Sequence, residues 1–403
     1  MTDPIDWLLS LERLGMKFGL ENMTRLVAAL GNPQHDFRSV HIAGTNGKGS
    51  VTAMLETALH RAGHRSARYT SPHLERLEER FVVAGAPIDT KALAAAVTAV
   101  REAVLHLQNA VGESFSPTFF ECATAAAFVL FRAERVAVAV IETGLGGRLD
   151  ATNVIQPVAT AITSIGVDHE ALLGGTVPAI AREKAGIIKP NVPLVLGPLP
   201  AEAEREILAV AAERNAPVSR GRQLVGVTPA LRGRHQQDNI AVTVGLADVL
   251  SSKGIAIPDS AVRHGIEHVF WPARLELVSD GEHEFLLDAA HNPAGAHALA
   301  QYLRDSSWEE AALLFGAMAD KDAAGMLRAL APVTSAIVCT TAAGSRAAAS
   351  EDLARIARSI APPSAVYAEP DPMRAVALAR TLSRRIVIAG SMFLVGPLRG
   401  ILR

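Results

Sequence analysis

Several features that mark whole classes of protein are missing or scarce in this chain. Cysteine is nearly absent: 403 residues contain two, Cys122 and Cys339. They lie far apart with no pairing pattern, which excludes a disulfide framework and points to a reducing, cytoplasmic setting. An excess of one charge is also missing. The formal net charge is −2 and the isoelectric point near 6.7, so the basic face that nucleic acid requires is not expected. No apolar run approaches the roughly 20 residues that span a bilayer, and the opening Met-Thr-Asp-Pro-Ile-Asp is acidic where a signal peptide is basic. There is no repeat at solenoid periods and no low-complexity tail. What remains is an alanine-rich, enzyme-like chain with room for about two or three domains.

Against this background one stretch stands out. Residues 39–51 read Ser-Val-His-Ile-Ala-Gly-Thr-Asn-Gly-Lys-Gly-Ser-Val. A short apolar run, 40–43, breaks at Gly44 into a glycine-rich loop, and Val51 opens an apolar helical pattern. Strand, loop, lysine, hydroxyl and helix occur in the order of a phosphate cradle. Gly44, Gly47 and Gly49 are expected at positive φ, turning backbone N–H groups toward an anion. Lys48 adds a mobile positive charge, Ser50 can ligate Mg²⁺, and the helix N-terminus favours phosphate. The spacing departs from the common P-loop. Gly44 and Gly47 are separated only by Thr45-Asn46, and Gly49 stands between Lys48 and Ser50.

The rest of the chain reads as α/β. Residues 1–37 are helical in pattern and stop at Gly31-Asn32-Pro33. Helices are expected at 51–62, 91–108, 117–133, 176–186 and 202–214, the third capped by Ser116 with Pro117 at its first position. Strands are expected at 65–69, 136–141, 159–165 and 194–196. Continuous apolar runs of this length suit buried parallel strands, whose C-terminal edge is where ligands bind in open sheets. The pattern falters between 258 and 272. Beyond it a second alternation begins, with strands at 285–287, 312–315, 336–339 and 386–389 and helices at 294–303, 323–330, 351–360 and 373–382. The expected architecture is a P-loop NTPase-like domain with a parallel-rich sheet, 1–272, and a smaller Rossmann-like α/β domain, 273–403.

Polar residues gather at the ends of these strands. Glu142 and His169 follow successive apolar strands and should project near Ser50 if strand order sets them beside the loop. Each is read as a Mg²⁺ group, or else as a strand-end ion pair for Glu142 and a partner of Asp168 for His169. Lys184, in Arg-Glu-Lys-Ala-Gly-Ile, is a working group, the intrahelical partner of a carboxylate one turn away, or simply part of a solvated face. Asp288 and His291, in Asp-Ala-Ala-His-Asn-Pro, can bind ribose or phosphate, or cap the helix that follows.

These motifs, with Tyr-Thr-Ser-Pro-His-Leu at 69–74, Glu-Thr-Gly-Leu-Gly-Gly-Arg-Leu-Asp-Ala-Thr-Asn at 142–153 and Asp-Lys-Asp at 320–322, occur in the order seen in folylpolyglutamate synthases and dihydrofolate synthases. The chain resembles that branch of the Mur ligase superfamily over nearly its whole length. The resemblance implies a ligase that uses ATP to phosphorylate a folate-side carboxylate, which the amino group of L-glutamate then attacks. It implies ATP on Gly47, Lys48, Gly49 and Ser50, with Asn239, Arg274, Asp288 and His291 serving the nucleotide between the two domains. It implies two Mg²⁺ ions near Ser50, Glu142 and His169, catalytic roles for Lys48, Lys184 and His169, and a Lys184 carbamylated by CO₂. For the pterin it points to Thr118, Phe119, Phe120, Glu121, Leu149, Asp150 and Ala151, with Ser71 and His73 on the pocket's border. Phe119 or Phe120 can stack on a flat ring, and a helical pattern can equally bury them in the core. Small-molecule substrates, a monomer and no nucleic acid or membrane partner complete the expectation. The alternatives are a Mur-type ligase acting on a peptidoglycan precursor and a P-loop ATPase that ligates nothing.

The chain departs from the family pattern in places. Pro272-Ala273-Arg274 stands where the family often has Pro-Gly-Arg, and alanine is small enough that Arg274 should still be placed. Ala-Gly-Ser-Arg-Ala at 343–347 is a variant of a Pro-Arg-rich loop, and Phe393 or Leu394 replaces a commonly seen histidine.

Overall fold

The computed structural model describes residues 3–403 apart from 16, 18, 112–114, 169 and 363–364. Two compact units emerge. The first comprises Met1–Ile165, Leu173–Thr228 and Gln237–Val269, the second Gly166–Leu172, Pro229–Gln236 and Phe270–Arg403.

The N-terminal helical pattern resolves into α1 (Pro4–Ser10), capped by the Asp3 carboxylate, a 3₁₀ turn at Leu11–Leu14, and α2 (Glu21–Ala29). There follow β1 (Arg38–Ala43), α3 (Lys48–Arg61), β2 (Ser66–Tyr69), β3 (Phe81–Val83), β4 (Ala86–Pro87), α4 (Thr90–Val111) and α5 (Phe119–Ala133). Next come β5 (Val138–Glu142), β6 (Ala159–Ile162), α6 (Glu170–Leu173), α7 (Val177–Ala185), β7 (Leu194–Leu196), α8 (Ala201–Glu213), β8 (Val218–Arg220), α9 (Gln236–Ser252) and α10 (Asp259–His268). The strands form one sheet in the order β4-β3-β2-β5-β1-β6-β7-β8. All neighbours from β2 to β8 pair in parallel, and β3 and β4 add an antiparallel edge. Ile42 pairs with both Glu142 and Ala161, so β1 ends between the ends of β5 and β6. Phe115, Phe128, Phe131, Tyr69 and Phe81 fill the core under α4 and α5, while Ile162, Ile180 and Ile207 fill the other side under α7 and α8.

Three local expectations are corrected. α5 starts two residues later than Pro117, because Thr118 rather than Ser116 takes the cap and Glu121 closes a reciprocal box with it. The stretch 258–272 is largely helical: α10 packs on α3 so closely that a Cβ on Gly265 would lie 2.5 Å from the Met54 carbonyl oxygen. Gly49 lies inside α3, and only Gly44 and Gly47 of the loop have positive φ, at 155° and 86°.

The second unit holds β9 (Glu276–Ser279), β10 (Glu284–Leu287), α11 (Pro293–Asp305), β11 (Ala312–Phe315), α12 (Ala323–Leu330), β12 (Ala336–Cys339), α13 (Ser350–Arg358), β13 (Val366–Ala368), α14 (Pro372–Leu382), β14 (Arg385–Ala389) and α15 (Met392–Leu402). Its sheet runs β13-β12-β11-β14-β10-β9, parallel except for β9. Phe315, Trp308, Leu299 and Leu327 lie in its core. Among the described residues no helix is long and apolar enough to cross a membrane.

Candidate active site

The loop after β1 is shaped by its neighbours as much as by its glycines. The end of β6 grips it from one side. Thr45 N–H donates to the Ser164 carbonyl (2.8 Å) and Asn46 N–H to the Ser164 hydroxyl (3.0 Å). The hydroxyls of Thr163 and Ser164 both donate to the Asn46 carbonyl, at 2.6 and 2.9 Å. Gly47 then turns into α3 in the left-handed region, and its carbonyl accepts the first helical bond, from Val51. Lys48, Gly49 and Ser50 are therefore the first three helical residues, whose N–H groups have no carbonyl one turn earlier in the helix to bind. That end of a helix suits an anion.

Three charged side chains converge on this loop. Lys48 folds back, with Nζ donating to the carbonyls of Gly44 (3.0 Å) and Thr45 (3.2 Å). Glu142, at the end of β5 and 5% exposed, brings Oε1 within 4.0 Å of that ammonium and accepts the Ser71 N–H at 3.4 Å. Lys184, on α7 and 4% exposed, donates from Nζ to the Gly44 carbonyl at 2.9 Å. Its side chain is thus buried against the loop and not on a solvated helix face. The Ser50 hydroxyl and Glu142 carboxylate are hard oxygen donors of the kind Mg²⁺ takes, so the donor set fits that ion. His169 lies outside the described residues.

Asn239 is on α9 and reaches the loop from above. A Cβ on Gly47 would sit 2.2 Å from its Oδ1, so the two residues are in van der Waals contact only because position 47 is glycine. Beside it, Leu196, Gly197, Arg220, Gly221, Asp238 and Ala241 line a cavity of about 160 Å³. Gly197 and Gly221 form its walls where the backbone passes so near that a Cβ would meet the carbonyl oxygens of Thr163 (2.0 Å) and Ala241 (1.5 Å).

The folate-side candidates separate by environment. Thr118 and Glu121 satisfy each other: Glu121 Oε2 accepts from the Thr118 N–H (2.7 Å) and hydroxyl (2.9 Å). Asp150 is buried and spends both oxygens on its own loop, Oδ1 on the Thr152 N–H (3.0 Å) and Oδ2 on the Leu145 N–H (2.8 Å). Burial raises its pKa against those bonds. Leu149 is half-buried and Ala151 buried in the adjoining 3₁₀ turn, Ala151–Val154. Phe119 is buried under the Arg80 guanidinium, 5.0 Å from its ring centre. Phe120 is less buried, lies nearly parallel to Tyr69 and fills the space a Cβ would take on Gly144. His73 accepts from Arg80 Nε at 2.9 Å, and burial with that charge lowers its pKa to about 4. Ser71 and Phe120 thus reach the Glu142–Gly144 turn.

In the second unit Asp288 accepts the N–H groups of Leu275 and Ala290, both at 2.9 Å. Burial raises its pKa, opposed by the nearby charges of Arg274 and His235. Ala273 occupies the left-handed region at φ 54°, held by its N–H bond to Glu276 and by the Ala289 N–H on its carbonyl. Neither Asp288 nor His291 caps α11; Asn292 does. His291 donates from Nδ1 to the Ala289 carbonyl (2.9 Å), and burial takes its pKa down to about 4. Asp168 forms a cluster here that motif reading did not assign. It pairs with Lys321 Nζ at 2.6 Å, accepts from Asn292 Nδ2 at 3.1 Å and lies 3.7 Å from His291 Nε2. The signal available was the Asp-Lys-Asp motif itself.

The Mur ligase glutamate ligase domain matches residues 273–392. A dihydrofolate synthase/folylpolyglutamate synthase from Bacillus subtilis is 34% identical, and the match covers 98% of each chain. The chain belongs to the folylpolyglutamate synthase/dihydrofolate synthase family. As a member of that family it is an ATP-dependent ligase joining glutamate to folates. The family fold is reproduced throughout. Mycobacterium tuberculosis folylpolyglutamate synthase complexed with ADP and AMPPCP superposes with a TM-score of 0.91 at 34% identity over 99% of both chains. A bifunctional folylpolyglutamate synthase/dihydrofolate synthase with Mn, AMPPNP and L-glutamate bound gives 0.86 at 30% identity, over 100% of this chain and 98% of the other.

Proposed function

We propose that this ligase adds L-glutamate to 7,8-dihydropteroate, to tetrahydrofolate polyglutamates, or to both, through an acyl phosphate. The observation that supports the reading best is the convergence of Lys48, Glu142 and Lys184 on one short loop. In this reading the N–H groups of Gly47, Lys48, Gly49 and Ser50 hold the phosphates, and Lys48 exchanges its loop carbonyls for the γ-phosphate. Ser50, Glu142 and His169 hold Mg²⁺, and two such ions when bound offset the charge of the moving phosphoryl group. Lys184 works as a carbamate, which keeps one N–H for Gly44 while turning a positive charge negative.

Asn239, Arg274, Asp288 and His291 serve the nucleotide, and Thr118, Phe119, Phe120, Glu121, Leu149, Asp150, Ala151, Ser71 and His73 the folate side. Residues 1–272 form the ATP-binding part and 273–403 the glutamate-ligase part of a cytoplasmic monomer. A folate carboxylate oxygen attacks the γ-phosphorus and ADP leaves. The glutamate nitrogen then attacks the acyl carbon, loses a proton, and phosphate departs with the former carboxylate oxygen.

The test is glutamate-dependent ADP release with dihydropteroate and with tetrahydrofolate, each carrying heavy oxygen in the carboxylate. Release with at least one acceptor and heavy oxygen in the phosphate are expected. Release with neither, or unlabelled phosphate, overturns the reading.

A further inference from the structure

We infer that Asn153 is a positioning residue for the ligase reaction, holding Lys184 on the phosphate loop by capping the helix that carries it. The inference rests on Lys184 being a working group of the site. Lys184 is the next-to-last residue of α7, where the final carbonyls have no partner within the helix. Ile187 and Ile188 turn back onto the Lys184 and Ala185 carbonyls, at 3.3 and 3.0 Å, and the segment 147–153 binds the carbonyls on either side of that turn. Arg148 N–H donates to the Glu183 carbonyl at 2.8 Å, and Asn153 Nδ2 to the Gly186 carbonyl at 3.1 Å. The other hydrogen of that same amide goes to the Arg148 carbonyl at 2.9 Å. One side chain therefore ties the segment to itself and to the helix end.

The approach is close enough to need two glycines. A Cβ on Gly147 would stand 2.8 Å from the Lys184 carbonyl oxygen, and one on Gly186 would stand 2.4 Å from Arg148 Cα. The Arg148 guanidinium also grips Glu183, at 2.7 Å, but its side chain is 55% exposed, where solvent screens the pair. Asn153 is 6% exposed, so its two bonds are the ones water cannot replace. The loop that leads into this segment leaves β5 at Glu142. It thus fixes the spacing between the β5 carboxylate and the α7 lysine around the loop. Both donors of the Asn153 amide are used, so an isosteric carboxylate would lose both bonds and face two carbonyls.

The experiment compares Asn153→Ala, Asn153→Asp, Arg148→Ala and Lys184→Ala in glutamate-dependent ADP release, with folding checked by circular dichroism. For both Asn153 variants kcat is expected to fall by more than about fivefold with KM for ATP within about twofold. Arg148→Ala, which keeps its backbone N–H, should stay within about twofold in kcat. If the alanine variant does not fold, the isosteric Asn153→Asp carries the test. A folded Asn153 variant with a smaller loss of kcat, or with KM for ATP rising as much as kcat falls, overturns the inference. Lys184→Ala separates the two levels: activity retained there removes the reading on which this rests, whereas activity lost there and kept in Asn153→Ala removes only the role of Asn153.

Discussion

Lys184 and Gly44, 140 residues apart in sequence, meet through a 2.9 Å hydrogen bond from the lysine Nζ to the glycine carbonyl. The contact places the α7 lysine against the backbone of the glycine-rich loop after β1. Lys184→Ala should lower kcat for glutamate-dependent ADP release by at least about a hundredfold, as expected when a charge that stabilises the transition state is lost. Carbon-labelled bicarbonate should give a carbamate resonance in the native protein and none in the variant. Full activity in Lys184→Ala would exclude the catalytic role.

Gly47 combines a positive φ with a neighbour that leaves no room for a side chain. Gly47→Ala adds about 1–2 kcal/mol for the left-handed backbone and displaces Asn239. A lower urea midpoint and a raised KM for ATP should appear together. An unchanged KM would separate Asn239 from the nucleotide.

Thr118 caps α5, and Glu121 returns the bond. Thr118→Ala should cost about 1 kcal/mol in urea unfolding, and Thr118→Ser, which keeps the oxygen, should restore it. If both variants leave stability intact and raise only KM for the folate substrate, the residue's part is in binding and not in capping.

Asp168 and Lys321 are each about 10% exposed in their ion pair. Lys321→Met removes the ammonium 2.6 Å from a largely buried carboxylate, at a cost of about 3 kcal/mol. Adding Asp168→Asn should recover part of that loss. A double variant no more stable than the single one would show that the pair is not coupled.

His41 lies in β1, with Nε2 2.8 Å from the Thr152 hydroxyl, and burial lowers its pKa from 6.5 to about 3. The unfolded chain binds this proton more tightly, so the neutral imidazole's contribution is complete above pH 6.5 and is lost as pH falls toward 3. It amounts to a few kcal/mol, because each tenfold difference in proton affinity is worth about 1.4 kcal/mol. Urea midpoints between pH 7 and pH 4 should fall steeply, and His41→Gln should flatten part of that slope. An equal slope in the variant would assign the acid sensitivity to other groups.

Much of the fold was legible because buried parallel strands are continuous apolar runs. β11 and β12 fall where the pattern sets them, at Ala312–Phe315 and Ala336–Cys339. Short edge strands were not legible: β9 alternates between half-buried and exposed, and β8 is exposed throughout, so neither carries an apolar signature. α10 was hidden for a different reason. Its sequence is polar and glycine-containing, and its helix is stabilised by close packing on α3. The box at Thr118 and Glu121 was missed in favour of Ser116, although Thr-Phe-Phe-Glu has its spacing, because Ser-Pro is an equally strong local start signal.

The sequence alone determined the glycine-rich loop between β1 and α3, the place of its lysine and hydroxyl, and the α/β alternation, because glycine freedom, helix starts and strand hydrophobicity are local properties. Only the tertiary structure decided that β1 lies between β5 and β6, that Thr163 and Ser164 clamp Asn46, and that Lys184 reaches Gly44. These depend on strand order and on backbones approaching to within a missing Cβ, and such distances are fixed by the packing of segments far apart in the chain.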